Sequence, residues 1–122
     1  MKTLAALKVL VVEDEALVSM LVEDMLTDLG CVVIGPAADI EEALRLVGSE
    51  TIDAALLDVN LGGRPIFPVA DALKARGVPF AFASGYGEAG LSEAHRGAAV
   101  LQKPFREADL KRILEGLAAL AV

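Results

Sequence analysis

Short apolar runs alternate with longer segments of mixed polarity along most of the chain. Residues 7–12 form an apolar run interrupted only by Lys8. The run is too short for a typical helix and rich in Val, as expected of a strand buried on both faces. Comparable short runs predict four further strands, at 31–34, 52–57, 79–83 and 98–101.

The segments between these runs follow a helical period. In residues 15–29, apolar side chains recur at helical spacing from Val18 to Leu29, and Gly30 follows where a helix often ends. Asp39 and Glu42 resemble a capping pair that opens a second helix. A third helix passes through 69–73, and a last helix carries the apolar residues Leu110, Ile113, Leu114 and Leu117.

A fourth helix is predicted between Gly87 and Arg96. Gly87 and Gly90 cost helix stability there, and Leu91 is the one large apolar anchor. We therefore expect this helix to be short or mobile. Five strands alternating with five helices predict an α/β fold, with a parallel sheet covered by helices on both faces.

Composition narrows the class of protein. The 122 residues suit a single domain spanning 1–122, and 55% hydrophobic with 4% aromatic residues predicts an aliphatic core. A net charge of −7 argues against a nucleic-acid-binding surface. The single cysteine, Cys31, is expected in the core of a protein from the reducing cytoplasm. No apolar stretch is long enough for membrane insertion.

The predicted strands end in polar residues of related chemistry: Glu13 and Asp14, then Asp58, Ser84 and Lys103. Ligands of open parallel sheets bind beyond the carboxyl ends of the strands. Three carboxylates gathered there would repel one another unless a cation intervened, and Mg²⁺ prefers oxygen ligands. A hydroxyl and an ammonium beside them suit a phosphoryl group, with Asp58 as the candidate nucleophile.

Four segments resemble the signature of response-regulator receiver domains over essentially the whole chain, 7–120. They are VVEDE at 11–15, LLD at 56–58, ASG at 83–85 and KPF at 103–105. The resemblance implies a flavodoxin-like, doubly wound five-stranded parallel sheet of order 2-1-3-4-5. No effector domain is recognised after Leu117, so a single receiver domain is expected.

The resemblance also assigns chemistry to the strand ends. Asp58 would accept a phosphoryl group from a histidine kinase. Mg²⁺ would be held by Glu13, Asp14 and Asp58, with the backbone carbonyl of Asn60 as a further ligand. Apart from its own phosphorylation and dephosphorylation, such a domain is not an enzyme.

The remaining motif residues would form the switch. Ser84 takes the position of the family's switch hydroxyl, and Lys103 pairs with the phosphate. The Lys103–Pro104 peptide bond matches one that is cis in the family. Phosphorylation would pull Ser84 inward and change a protein-interaction surface around the fourth helix.

Three features depart from the common pattern. The segment FAFASGY at 80–86 is similar to the FAT-GUY subgroup, whose usual partners are kinases of the HWE or HisKA2 type. Val100 stands where receivers commonly carry an aromatic residue. Gly62 replaces a frequent proline, which predicts a looser loop after the acceptor.

Alternative functions need separate consideration. A pseudo-receiver, which keeps the fold but does not use phosphorylation, is the main one, and the chain could also be the receiver part of a hybrid kinase. Gly85, Gly87 and Gly90 have dinucleotide-binding spacing, but no acidic residue ends the next strand. An aspartate-nucleophile phosphatase would need a second aspartate where Ala16 stands.

Overall fold

The computed structural model describes residues 3–85 and 98–120. Its strands and helices are β1 (Lys8–Val12), α1 (Ala16–Asp28), β2 (Val32–Ala37), α2 (Ile40–Ser49), β3 (Ala54–Asp58), β4 (Asn60–Leu61), β5 (Arg64–Pro65), α3 (Phe67–Ala75), β6 (Phe80–Ser84), β7 (Ala99–Gln102) and α4 (Glu107–Leu120). The predicted fourth helix lies outside the described residues, so α4 is the predicted last helix.

Five strands form one parallel sheet in the order β2-β1-β3-β6-β7. This confirms the predicted 2-1-3-4-5 order. The chain runs outward from β1 to β2, and then in the opposite direction from β3 to β7, so the order reverses between β1 and β3. Val12 is in register with Leu57, which brings the carboxyl ends of β1 and β3 side by side.

Two apolar clusters cover the two faces of the sheet. Along β1, Val9 and Val11 belong to the cluster that includes α1 and α4 residues, whereas Leu10 and Val12 belong to the cluster with α2 and α3. Successive side chains of a strand point to opposite faces, so burial on both faces explains the unbroken apolar runs of the sequence. The fully buried Phe82 joins the second cluster.

Strand β2 is longer than predicted. The sequence predicted a strand at 31–34, ending before Gly35 and Pro36, but the strand continues to Ala37, whose carbonyl accepts a hydrogen bond from the Glu13 N–H at 2.9 Å. β2 is an edge strand, where a proline without an N–H is tolerated. Gly35 adopts a φ of +93°, and the register with β1 shifts beside it.

The segment after β3, which the sequence predicted as a loop, contains an antiparallel hairpin of β4 and β5. Leu61 is in register with Arg64, which leaves Gly62 and Gly63 as a two-residue turn. Their φ angles are +58° and +84°. A two-residue hairpin turn of type I′ requires positive φ at both positions, which glycine adopts without strain.

Cys31 and the α2 capping pair lie as the sequence predicted. The Cys31 side chain is buried in the cluster with α1 and α4, and burial raises the pKa of its thiol above the ordinary value. The Asp39 carboxylate accepts a hydrogen bond from the Glu42 N–H at 2.7 Å. Within the described part of the chain, no helix has the length and apolar character needed to cross a membrane.

Candidate functional site

Three carboxylates meet where β1 and β3 end. Glu13 and Asp14 follow β1, and Asp58 is the last residue of β3. Each contributes a carboxylate oxygen that lies within 4.8 Å of the other two. Glu13 is buried, Asp14 is exposed, and the Asp58 side chain is 12% exposed. The group is therefore accessible from the Asp14 side.

Lys103 joins this group from the end of β7. Its Nζ lies 2.9 Å from Glu13 Oε1 and 3.5 Å from Asp58 Oδ1. Partial burial of the ammonium lowers its pKa, but the hydrogen bond to Glu13 and the charges of Asp58 and Glu13 outweigh this, so the pKa of Lys103 is raised. The side chain is thus a fixed positive charge between the two carboxylates.

Backbone donors orient two of the carboxylates. The Glu15 N–H donates to Glu13 Oε2 at 3.2 Å, and the Gly62 N–H donates to Asp14 Oδ2 at 2.9 Å. Sequence reasoning missed both donors. The Gly62–Gly63 pair, which is typical of a hairpin turn, was the sequence signal that could have indicated the second donor.

Ser84 and Lys103 lie at neighbouring strand ends. Ser84 is the buried last residue of β6, and its carbonyl accepts a hydrogen bond from the Lys103 N–H at 2.9 Å. The Lys103–Pro104 peptide bond is cis, as the family resemblance implied. Asn60 begins β4, two residues after Asp58. The structure therefore places all the predicted site residues at or just after the carboxyl ends of β1, β3, β6 and β7.

The donor set suits a hard divalent cation. Three carboxylates face one ammonium, so the group keeps a negative charge when all four side chains are ionised. Carboxylate and backbone carbonyl oxygens are the ligands that Mg²⁺ takes, and it usually retains several waters, for which the exposed Asp14 side leaves room. The residues present therefore fit Mg²⁺.

The sequence model of the response regulator receiver domain matches residues 9–115. The chain belongs to this family. Receiver domains are modules of two-component signalling systems, so the assignment to two-component signalling expected from the sequence is confirmed, as is the flavodoxin-like fold.

Individual relatives agree with this assignment. The chain is 31% identical to the transcriptional regulatory protein PdtaR of Mycobacterium tuberculosis over 112 residues, covering 88% of this chain and 55% of PdtaR. It therefore spans about half the length of that relative.

Two solved structures resemble this receiver closely. SdrG from Sphingomonas melonis Fr1 is 39% identical with a TM-score of 0.81, and the match covers 95% of this chain and 98% of SdrG. The receiver domain of the sensor histidine kinase PA1611 from Pseudomonas aeruginosa is 27% identical with a TM-score of 0.76, covering 94% of this chain and 99% of that one. That structure has a magnesium ion coordinated in its active-site cleft.

Proposed function

We propose that Asp58 accepts a phosphoryl group from the phosphohistidine of a histidine kinase. The observation that carries the proposal is the position of the Asp58 carboxylate, 3.5 Å from the Lys103 ammonium and grouped with Glu13 and Asp14. Of these carboxylates, Glu13 is buried, which leaves Asp58 and Asp14 more accessible. Asp58 is also the one at the end of the strand on which the family carries its acceptor.

In the transfer, an oxygen of the Asp58 carboxylate forms a bond to phosphorus as the bond between phosphorus and the imidazole nitrogen breaks. The imidazole leaves with the electron pair of that bond and takes up a proton. The product is an acyl phosphate. Such transfers depend on positioning and charge stabilisation, which the groups around Asp58 supply.

Mg²⁺ would be held by Glu13, Asp14 and Asp58, together with the backbone carbonyl of Asn60. When bound, the cation neutralises charge on the phosphoryl oxygens. Lys103 supplies a second positive charge, with its Nζ 3.5 Å from Asp58 Oδ1. Its ion pair with Glu13 keeps the ammonium in place before any phosphoryl group arrives.

Ser84 is proposed as the hydroxyl that donates a hydrogen bond to the phosphoryl group. A bond formed in only one of two conformations would shift their populations and change the surface around the predicted fourth helix. The FAFASGY segment supports an HWE or HisKA2 kinase as the cytoplasmic phosphodonor. The signal is then passed on through a contact with a partner protein. The domain catalyses only the formation and hydrolysis of its own acyl phosphate.

The direct test is intact mass spectrometry after incubation with Mg²⁺ and acetyl phosphate. We expect one added phosphoryl group on the wild type, and none on Asp58→Asn or in the presence of a chelator. The matched control is Asp24→Asn, which removes an exposed carboxylate of α1 and should be labelled like the wild type.

An adduct that persists in Asp58→Asn would place the acceptor elsewhere and overturn the assignment. Absence of any adduct on the wild type, together with no binding of beryllofluoride, would instead identify a pseudo-receiver. Beryllofluoride is the appropriate second probe because SdrG also has a structure of its BeF3-activated conformation. The match of this chain to that second structure is 41% identical.

A further inference from the structure

The β4–β5 hairpin reaches back from the acceptor strand to the acidic group. Its turn residue Gly62 donates the 2.9 Å hydrogen bond to Asp14 Oδ2, a contact across 48 positions of sequence. Asp14 is the most exposed of the three carboxylates and has no helix or strand of its own. Gly62 is thus a donor that can restrict the orientation of this side chain.

The base of the hairpin is anchored in the core. Leu61 and Ile66 are 3% and 0% exposed and belong to the cluster with α2 and α3. The Ile66 N–H donates to the Val59 carbonyl at 3.0 Å, and the Val59 N–H donates to the Ala83 carbonyl of β6 at 3.2 Å. The position of the turn is therefore set by the packed sheet and not by solvent-exposed contacts alone.

A surface ion pair ties the other arm of the hairpin to α2. Arg64 Nη1 lies 2.9 Å from both carboxylate oxygens of Glu41. The hydrogen bond to Glu41 and its charge raise the pKa of Arg64. Both side chains are more than half exposed, so this pair is a weaker support than the buried Leu61 and Ile66.

We propose that the β4–β5 hairpin positions the Asp14 carboxylate for Mg²⁺, with Gly62 as the positioning residue. An ionised carboxylate has about four acceptor positions, so the bond from Gly62 leaves Asp14 free to bind a cation at the same time. Partners that orient a metal ligand in this way typically change metal affinity by about 10- to 100-fold. The inference rests on the proposed Mg²⁺ site.

The test is the Mg²⁺ affinity of the unphosphorylated protein, measured by isothermal titration calorimetry. Gly62→Pro removes the N–H donor and is expected to weaken binding about tenfold. Gly62→Asn keeps the N–H, and asparagine tolerates positive φ. A Cβ at this position would lie 3.8 Å from Asp14 Oδ2, an ordinary contact, so Gly62→Asn should bind like the wild type.

Because proline cannot adopt the positive φ of Gly62, a second measurement uses the unmodified turn. Amide hydrogen exchange of the wild type should show the Gly62 N–H protected both without metal and at saturating Mg²⁺. Protection lost on Mg²⁺ binding would mean that Asp14 leaves the hairpin to reach the cation. The hairpin would then compete with the metal, and the proposal would be wrong.

Arg64→Ala tests the tie to α2. Exposed ion pairs contribute little to stability, so the hairpin should largely keep its position without Arg64. Mg²⁺ affinity should therefore fall by no more than about fivefold. Arg112→Ala is the matched control, since Arg112 pairs with Asp109 on α4 at the surface. A loss in Arg112→Ala as large as in Arg64→Ala would show that the effect is not due to the hairpin.

The outcomes separate this inference from the proposed function. Wild-type Mg²⁺ affinity in Gly62→Pro would overturn the positioning role while labelling of Asp58 still supported the receiver chemistry. A wild type that does not bind Mg²⁺ would remove the metal site and the positioning role together.

Discussion

At the scale of single residues, the main arrangement is a buried acid held by one partly buried cation. Glu13 has a side chain only 5% exposed, and its carboxylate accepts hydrogen bonds from Lys103 Nζ and from the Glu15 N–H. Removing one member of a buried ion pair leaves the other charge without compensation, which costs more than the pair contributes. Lys103 is therefore both a site residue and a structural one.

Lys103→Gln tests this dual role. Without Mg²⁺, we expect the free energy of unfolding to fall by about 1–2 kcal/mol, below the 3–5 kcal/mol typical of a fully buried pair because solvent reaches the lysine. Added Mg²⁺ should reduce the deficit, since the cation also neutralises Glu13 and Asp58. Urea unfolding with chelator and with Mg²⁺ measures both quantities.

The control for this variant is Lys111→Gln, which removes an exposed lysine of α4. It should leave the urea midpoint within the error of the wild type. Equal midpoints for Lys103→Gln and the wild type in chelator would show that Glu13 does not depend on the ammonium.

At the scale of elements, local sequence determined most helix and strand positions. The α2 N-terminus is an example, because Asp39 accepts a hydrogen bond from the Glu42 N–H, while the Glu42 carboxylate accepts one from the Ala38 N–H at 3.0 Å. The first of these bonds satisfies a donor that the helix itself leaves free, and the second satisfies the N–H of the residue before the cap. The Glu42 carboxylate accepts its hydrogen bond from the Ala38 N–H and not from the Asp39 N–H. The spacing of Asp39 and Glu42 in the sequence did not specify which of these two donors it would be.

Asp39→Ala should destabilise the protein by about 1 kcal/mol, because the cap is lost while the core is unchanged. For a domain of this size, that corresponds to a fall in melting temperature of roughly 3–5 °C. Thermal unfolding followed by circular dichroism checks it. Asp39→Asn keeps a capping oxygen and should recover most of the loss; a loss as large as that of alanine would contradict the capping role.

At the scale of the whole molecule, the strand order decides the chemistry. β1 and β3 are separated in sequence by α1, β2 and α2 but adjacent in the sheet, and this adjacency brings Glu13 and Asp14 to Asp58. In a chain of net charge −7, the result is a concentration of negative charge at one edge. A cation bound there should stabilise the folded state, because the unfolded chain has no such site.

Mg²⁺ should therefore raise the melting temperature beyond the effect of NaCl at equal ionic strength. Binding to the folded state alone adds about 2.7 kcal/mol when free Mg²⁺ is a hundred times its Kd. That corresponds to roughly 10 °C for a domain of this size. Asp14→Asn, which removes one charged ligand, should lose most of the shift, and an equal shift in that variant would place the stabilising cation elsewhere.

Much of the candidate site could be predicted because each residue follows an apolar run. The positions of Asp58 and Lys103 at strand ends depend only on where β3 and β7 stop. The donors from Glu15 and Gly62 were missed, since backbone N–H groups have no signature in sequence. The two-glycine turn was the available signal, and it was interpreted as a loop because a hairpin of two-residue strands has no period to detect.

The sequence by itself determined the alternation of strands and helices, the apolar runs buried on both faces and the types of residue at the strand ends. These follow from local periodicity and chemistry, which neighbouring residues specify. Tertiary structure alone decided that Gly62 bonds Asp14, that β2 passes through Pro36, and that Lys103 lies between Glu13 and Asp58. Such contacts depend on distances between segments far apart in the chain, and these distances exist only once the sheet is assembled and packed.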